Sequence, residues 1–245
     1  MTQSKRRFWE AYLSDQPKFT ERFKGAEDSY PETLFRTIIG ISGIKMPADD
    51  FVLEELPDFP LEEMGSNPIN LRFLEFIIQI SGARRIFEIG TFIGVSTMCM
   101  ARRLPPDGHV VTVEKFDKFA SIARKNFAAN SLDGKITLVE ADASEAIARL
   151  NPNDQFDLIF IDGNKDRYRD YFTELEPFLA PTGVMIVDDC FFHGDALNPL
   201  PETEKGSGVL AFLNCIAERD DFLRVVLPIA NGITLLTRVR SEDPT

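Results

Sequence analysis

The chain has 245 residues, enough for one large domain with a substantial core, and its 44% hydrophobic and 27% charged residues are usual for a soluble globular protein. A formal net charge of −12 argues against a nucleic-acid backbone as partner, because neutralising phosphates needs a net basic face. No apolar run reaches membrane-spanning length and no signal-peptide core is visible. The three cysteines, Cys99, Cys190 and Cys215, make neither a disulfide framework nor a zinc set, so a cytoplasmic, reducing setting is expected.

Residues 1–60 stand apart. Lys5-Arg6-Arg7 reads as the solvated start of a helix through Phe8 and Leu13, which Pro17 ends. A second helix follows Pro31 through Leu34, Ile38 and Ile39. Residues 43–60 carry Pro47, Pro57 and Pro60 without periodicity and read as a long loop. This helical extension suits a lid, a dimerisation arm or simple packing, with residues 61–245 as the main domain.

Asn67 then offers an N-cap and Pro68 a first helical position, with Ile69, Phe73, Phe76, Ile77 and Ile80 at helical spacing until Gly82. From there strands and helices alternate. Strands are expected at Ile86–Ile89, Val110–Val113, Ile136–Val139, Phe156–Ile161 and Gly183–Val187. Helices are expected over 95–104, 117–130, just after Asp142, 166–179 and 209–218. Gly206-Ser207-Gly208 reads as a flexible loop near the site. Two late strands, Phe222–Leu227 and Gly232–Thr237, are joined by only four residues and predict an antiparallel edge hairpin. The fold class is α/β: a doubly wound, mostly parallel sheet of seven strands, with that hairpin and the helical N-terminal extension.

In such a sheet ligands bind at the carboxyl ends of the strands. Between Glu88 and Ser96 the chain passes Gly90 and Gly94 into a helix, leaving room for close backbone approach and free N–H groups for an anion. The first five strands each end in or near an acid: Glu88, Glu114, Asp142, Asp162 and the pair Asp188-Asp189. Glu114 lies at the distance from the first glycine where nucleotide folds place an acid for ribose hydroxyls. Asp142-Ala143 is placed to meet an adenine edge. Asp162, Asp188 and Asp189 supply three hard oxygen ligands suited to Mg²⁺ or a similar ion.

These residues resemble the cation-dependent catechol and caffeoyl-coenzyme A type O-methyltransferases, which use S-adenosylmethionine and have a Rossmann-like methyltransferase fold. Phe87 to Ser96 is similar to the family's first motif, Phe160 to Tyr168 to its D-x-x-K-x-x-Y segment, and Val187-Asp188-Asp189 to its D-N metal pair. Leu227 to Leu235 resembles its closing L-P-x-x-x-G-x-x-L hairpin. The resemblance implies that Glu88, Gly90, Gly94 and Ser96 border the methionine end of the cofactor. It puts Glu114 on the ribose, Asp142 and Ala143 beside the adenine, and Asp162 at both metal and cofactor. Asp188 and Asp189 complete the metal set, and Lys165 is the general base. Asp189 stands where the family usually has Asn, and Phe192-His193 replaces its commoner Trp-x.

The expected reaction is methyl transfer to a hydroxyl of a catechol-like or other phenolic small molecule, assisted by a divalent metal. A metal-independent small-molecule methyltransferase is the alternative, and a binding protein without catalysis a third reading. A dinucleotide oxidoreductase is disfavoured because Gly90 and Gly94 stand four apart rather than in G-x-G-x-x-G. For Lys165 to act as a base its pKa has to be lowered, against the pull of the surrounding carboxylates. Phe191, Phe192 and the 43–60 loop are candidates to wall an aromatic ring. The resemblance and the apolar N-terminal helices also suggest a homodimer.

Overall fold

The computed structural model describes residues 30–240, in two compact units that divide between Lys45 and Met46. The described part of the first unit is one helix, α1 (Tyr30–Ser42), ended by a turn with Gly43 at φ 58. The helix expected around residues 8–13 lies outside the described residues.

The second unit is built on a seven-stranded sheet: β1 (Arg85–Ile89), β2 (His109–Glu114), β3 (Ile136–Glu140), β4 (Phe156–Ile161), β5 (Leu179–Val187), β6 (Phe222–Leu227) and β7 (Ile233–Arg238). The spatial order is β3-β2-β1-β4-β5-β7-β6, and β7 alone runs against the others. The order reverses between β1 and β4, which opens a crevice at their carboxyl ends.

Helices cover both faces. Those longer than a single turn after the 30–42 segment are α2 (Pro68–Ser81), α3 (Val95–Arg103), α4 (Asp117–Ala129), α5 (Ala143–Ala148), α6 (Tyr168–Leu175) and α7 (Glu204–Ala217). The period-two side-chain alternation of β4 divides the core. Leu158 and Phe160 pack with Leu74, Ile78, Met98 and Phe127 from α2, α3 and α4. Ile159 and Ile161 pack with Ile147, Phe172 and Phe212 from α5, α6 and α7. Each large side chain removed from water this way contributes about 1.5–3 kcal/mol before ordering costs. Cys99 and Cys190 are buried in these cores, and both thiols are pushed up to about 12 by burial.

Helix α2 follows its sequence signals closely. Asn67 Oδ1 accepts from Ile69 N at 2.9 Å, Pro68 opens the helix, and Gly82 ends it at φ 66. Two expectations need correction. The helix expected over 166–179 is split: residues 165–167 and 176–178 are 3₁₀ turns around α6, and β5 begins at Leu179 rather than Gly183. Pro177 removes a backbone donor there, and Leu179 already pairs with Phe156. Gly206-Ser207-Gly208 is helical, not a loop: α7 starts at Glu204, capped by Thr203 Oγ1 accepting from Gly206 N at 2.9 Å.

Residues 46–64 hold two single-turn helices, Pro47–Asp50 and Leu61–Met64, with irregular chain between. Asn126 of α4 and Asn130, which caps its C-terminal end, imitate a strand partner for this chain. Their side-chain amides exchange hydrogen bonds with the backbone of Glu54 and Val52 at 2.7–3.1 Å. Asp50 pairs with Arg102 of α3 at 2.8 Å, and Phe59 packs edge-on against Phe119.

Candidate active site

Three backbone hydrogen bonds carry the strand pairing past the strand ends. Gly90 N donates to Val113 O at 3.1 Å, Asp162 N to Ile89 O at 2.9 Å, and Asp188 N to Ile161 O at 3.0 Å. They bring the glycine turn and two of the acids to one place. Gly90 has φ 98, and Gly94, at φ 91, lies against the Phe127 ring as the N-cap of α3.

Glu88 is fully buried. Its carboxylate accepts from Ser96 Oγ at 2.6 Å, Thr97 Oγ1 at 2.5 Å and Thr112 Oγ1 at 2.6 Å. Burial pushes the acid up to about 7 despite those three donors. Both oxygens face protein hydroxyls, so this side chain braces the turn between β1, β2 and α3.

Glu114, at the end of β2, accepts from Phe92 N at 2.8 Å and Phe116 N at 3.0 Å. It is 7% exposed, and burial raises its pKa against the backbone donors. Asp142 caps α5 by accepting from Ser144 N at 3.1 Å, and it meets Lys115 Nζ at 3.0 Å, which holds the carboxyl low. Ala143, next to it, is buried. Glu114 and Asp142 thus line adjacent strand ends, on the β2–β3 side of the crevice.

On the other side, Lys165 Nζ lies 2.6 Å from Asp162 Oδ1 and 3.1 Å from Asp189 Oδ2. Burial disfavours charge on this amine, but Asp162, then Tyr168 and Asp189, outweigh it and hold the lysine well above its ordinary range. The pull of the carboxylates noted in the sequence prevails here, in the direction opposite to the lowering that a general base at Lys165 requires. Asp188 is buried; its Oδ1 accepts from Asn70 Nδ2 and from Asp189 N, both at 2.8 Å. Burial, with Asp162 and Asp189 nearby, pushes Asp188 up to about 7.

The loop after Asp188 is strained. Asp189, Phe192 and His193 have φ of 55, 41 and 54, a backbone region that costs about 1–3 kcal/mol per non-glycine residue. The hairpin turn holds it: Cys190 N donates to Gly232 O at 2.9 Å, Phe191 N to Asn231 O at 2.6 Å, and Asn231 Nδ2 to His193 Nδ1 at 3.3 Å. Phe191 lies against Gly232, where a Cβ would meet its ring at 2.6 Å.

Ser66 and Asn70 belong to this site and were not singled out from the sequence. Ser66 Oγ donates to Asp162 Oδ2 at 3.3 Å. Asn70 is 1% exposed, and its Oδ1 is buried without a partner. Turning the amide over would set Oδ1 against a carboxylate, so the observed orientation is the stable one. A signal existed: Asn70 shares the buried stripe of α2 with Leu74 and Ile78, where a polar residue needs a reason.

The donors suit a divalent ion, being hard carboxylate oxygens, and two of them already converge on one cation. As they stand, no three His, Cys, Asp or Glu among the described residues are arranged to hold a metal.

Residues 47–239 match the model of the O-methyltransferase family. A catechol O-methyltransferase of Niastella koreensis is 30% identical over 155 residues, covering 61% of this chain and 70% of that protein. Probable caffeoyl-CoA O-methyltransferase 2 of Dictyostelium discoideum is 28% identical over 171 residues, 68% of this chain and 74% of its own length. The crystal structure of the O-methyltransferase TomG from Streptomyces achromogenes, a complex with SAM, superposes with a TM-score of 0.70. It is 25% identical and covers 79% of this chain and 94% of that one. A match spanning nearly all of the second unit, joined to this strand order and these strand-end acids, places the chain in the O-methyltransferase family of enzymes.

Proposed function

We propose that this enzyme transfers the methyl group of S-adenosylmethionine to one hydroxyl of a catechol-like or other phenolic small molecule, with a divalent ion, Mg²⁺ by its oxygen donors, assisting. The observation that carries this reading is the convergence of Asp162 and Asp189 on one cationic centre beside the Gly90 turn. The TomG complex with SAM and the relatives named for catechol and caffeoyl-CoA support the donor and the acceptor class.

Glu114 takes the ribose hydroxyls, and Asp142 with Ala143 borders the adenine. Gly90, Gly94 and Ser96 border the methionine end, where Glu88 fixes Ser96 through its 2.6 Å hydrogen bond. A phenol of pKa about 10 is mostly protonated at neutral pH. Asp162, Asp188 and Asp189 would hold the divalent ion, which would supply positive charge that favours the phenolate of a phenol or vicinal diol. Once released from Asp162 and Asp189, the Lys165 ammonium gives its proton to solvent, and the neutral amine then receives the phenolic proton. The new O–CH₃ bond forms as the S–CH₃ bond breaks, and the sulfur leaves as a neutral thioether.

The test is a methylation screen of ortho-diphenols and simple phenols with S-adenosylmethionine, with Mg²⁺ and with chelator. Product from a diphenol in the Mg²⁺ arm alone is expected. Equal turnover with chelator favours the metal-independent alternative, and absence of product from every diphenol removes the acceptor class.

A further inference from the structure

The Lys165 side chain is 13% exposed and occupies the space between Asp162 and Asp189. Its backbone is fixed by α7: a Cβ on Gly208 would lie 2.3 Å from Asp166 Cα and 2.6 Å from Lys165 O. Asp189 is fixed as well, with its N–H on Asp188 Oδ1 at 2.8 Å and its carbonyl accepting from Phe192 N at 3.1 Å. The four-carbon lysine stem is left as the part free to swing. A divalent ion and an ammonium cannot share the same two carboxylate oxygens, since their charges repel at that distance.

We propose that Lys165 is an ammonium latch, which holds Asp162 and Asp189 together in the ion-free protein and which a divalent ion must displace to bind. Displacement then frees the amine from both carboxylates. The latch rests on the ion-assisted reading above, and the second carboxylate at residue 189 strengthens it, since an amide there would offer the ammonium no charge. A latch open in one molecule in ten weakens the apparent ion affinity about tenfold.

Mn²⁺ binding to the full chain, followed by paramagnetic resonance of the free ion, tests this without turnover. Lys165→Met and Lys165→Gln are both expected to bind Mn²⁺ about tenfold tighter than the wild type or more. Lys205→Met is the control: it removes the same charge from α7, where Lys205 lies over the Phe192 ring, and it is expected to stay within about twofold. Two position-165 substitutions guard against one failing to fold, and circular dichroism checks both. Wild-type binding with no tightening in either overturns the latch alone. Equal tightening by Lys205→Met also overturns it, as an effect of overall charge. Absence of Mn²⁺ uptake by every protein overturns the ion-assisted reading and the latch with it.

Discussion

Gly90 and Asp162 stand back to back at the ends of β1 and β4, so close that a Cβ on the glycine would lie 2.2 Å from the Asp162 carbonyl oxygen. The atom met is backbone, so no rotamer relieves the contact, and φ 98 adds strain of its own. Gly90→Ala is expected to cost about 2–4 kcal/mol and to weaken S-adenosylmethionine binding, because Asp162 must move. Urea unfolding and a cofactor titration check this; unchanged midpoint and affinity refute it.

Gly208→Ala separates helix propensity from packing. Propensity alone favours alanine in α7 by about 1 kcal/mol. The approach of Asp166 Cα to within 2.3 Å of an added Cβ predicts the opposite sign, a loss of about 1–3 kcal/mol. A raised unfolding midpoint would show that the contact with the Lys165 turn is loose.

Glu88 links stability to pH. Its carboxyl is pushed up to about 7 from an ordinary 4.5, so the folded protein binds this proton more tightly than the unfolded chain. That contribution is full below about pH 4.5 and is lost as pH rises through about 7, a fall of up to about 3 kcal/mol. Glu88→Gln has no such proton, so wild-type stability should drop relative to the variant between pH 5 and pH 8. Asp188, raised to about 7 as well, stays in both proteins, and the difference isolates Glu88. Parallel denaturation curves across that range count against the assignment.

Asn70→Ala takes from Asp188 its only side-chain donor among the described residues. The expected cost is about 1–3 kcal/mol, the usual penalty for stripping a buried polar partner. Asn70→Asp should cost more above neutral pH, because it sets another carboxylate against Asp188. Thermal melts at pH 6 and pH 8 test this order, and an aspartate variant as stable as the alanine one reverses it.

Much of the fold was legible because its signals are local. Asn67, Pro68 and Gly82 bound α2 by capping chemistry, and the apolar run of β4 sits between turn signals. The acids at the strand ends followed from alternation of strands and helices. What escaped depends on distant chain. Glycines 206 and 208 look like loop residues until α7 is packed, Gly206 on Asp195 and Gly208 on the Lys165 turn. Ser66 and Asn70 reach Asp162 and Asp188 across 96 and 118 residues, a separation no local pattern encodes. The charge state of Lys165 depends on which carboxylates surround it, and spacing alone does not settle that balance.

Because β7 runs against the other strands, its leading end, not its trailing end, arrives beside β5 at the mouth of the crevice. Asn231 and Gly232 there hold Phe191 and Cys190, and with them the bend that presents Asp189. During synthesis, five parallel strands can be in place while that bend still lacks its anchor. The enzyme therefore becomes competent late, when a segment far along the polypeptide leaves the ribosome, and a nascent chain halted before residue 231 should carry a sheet without a finished centre.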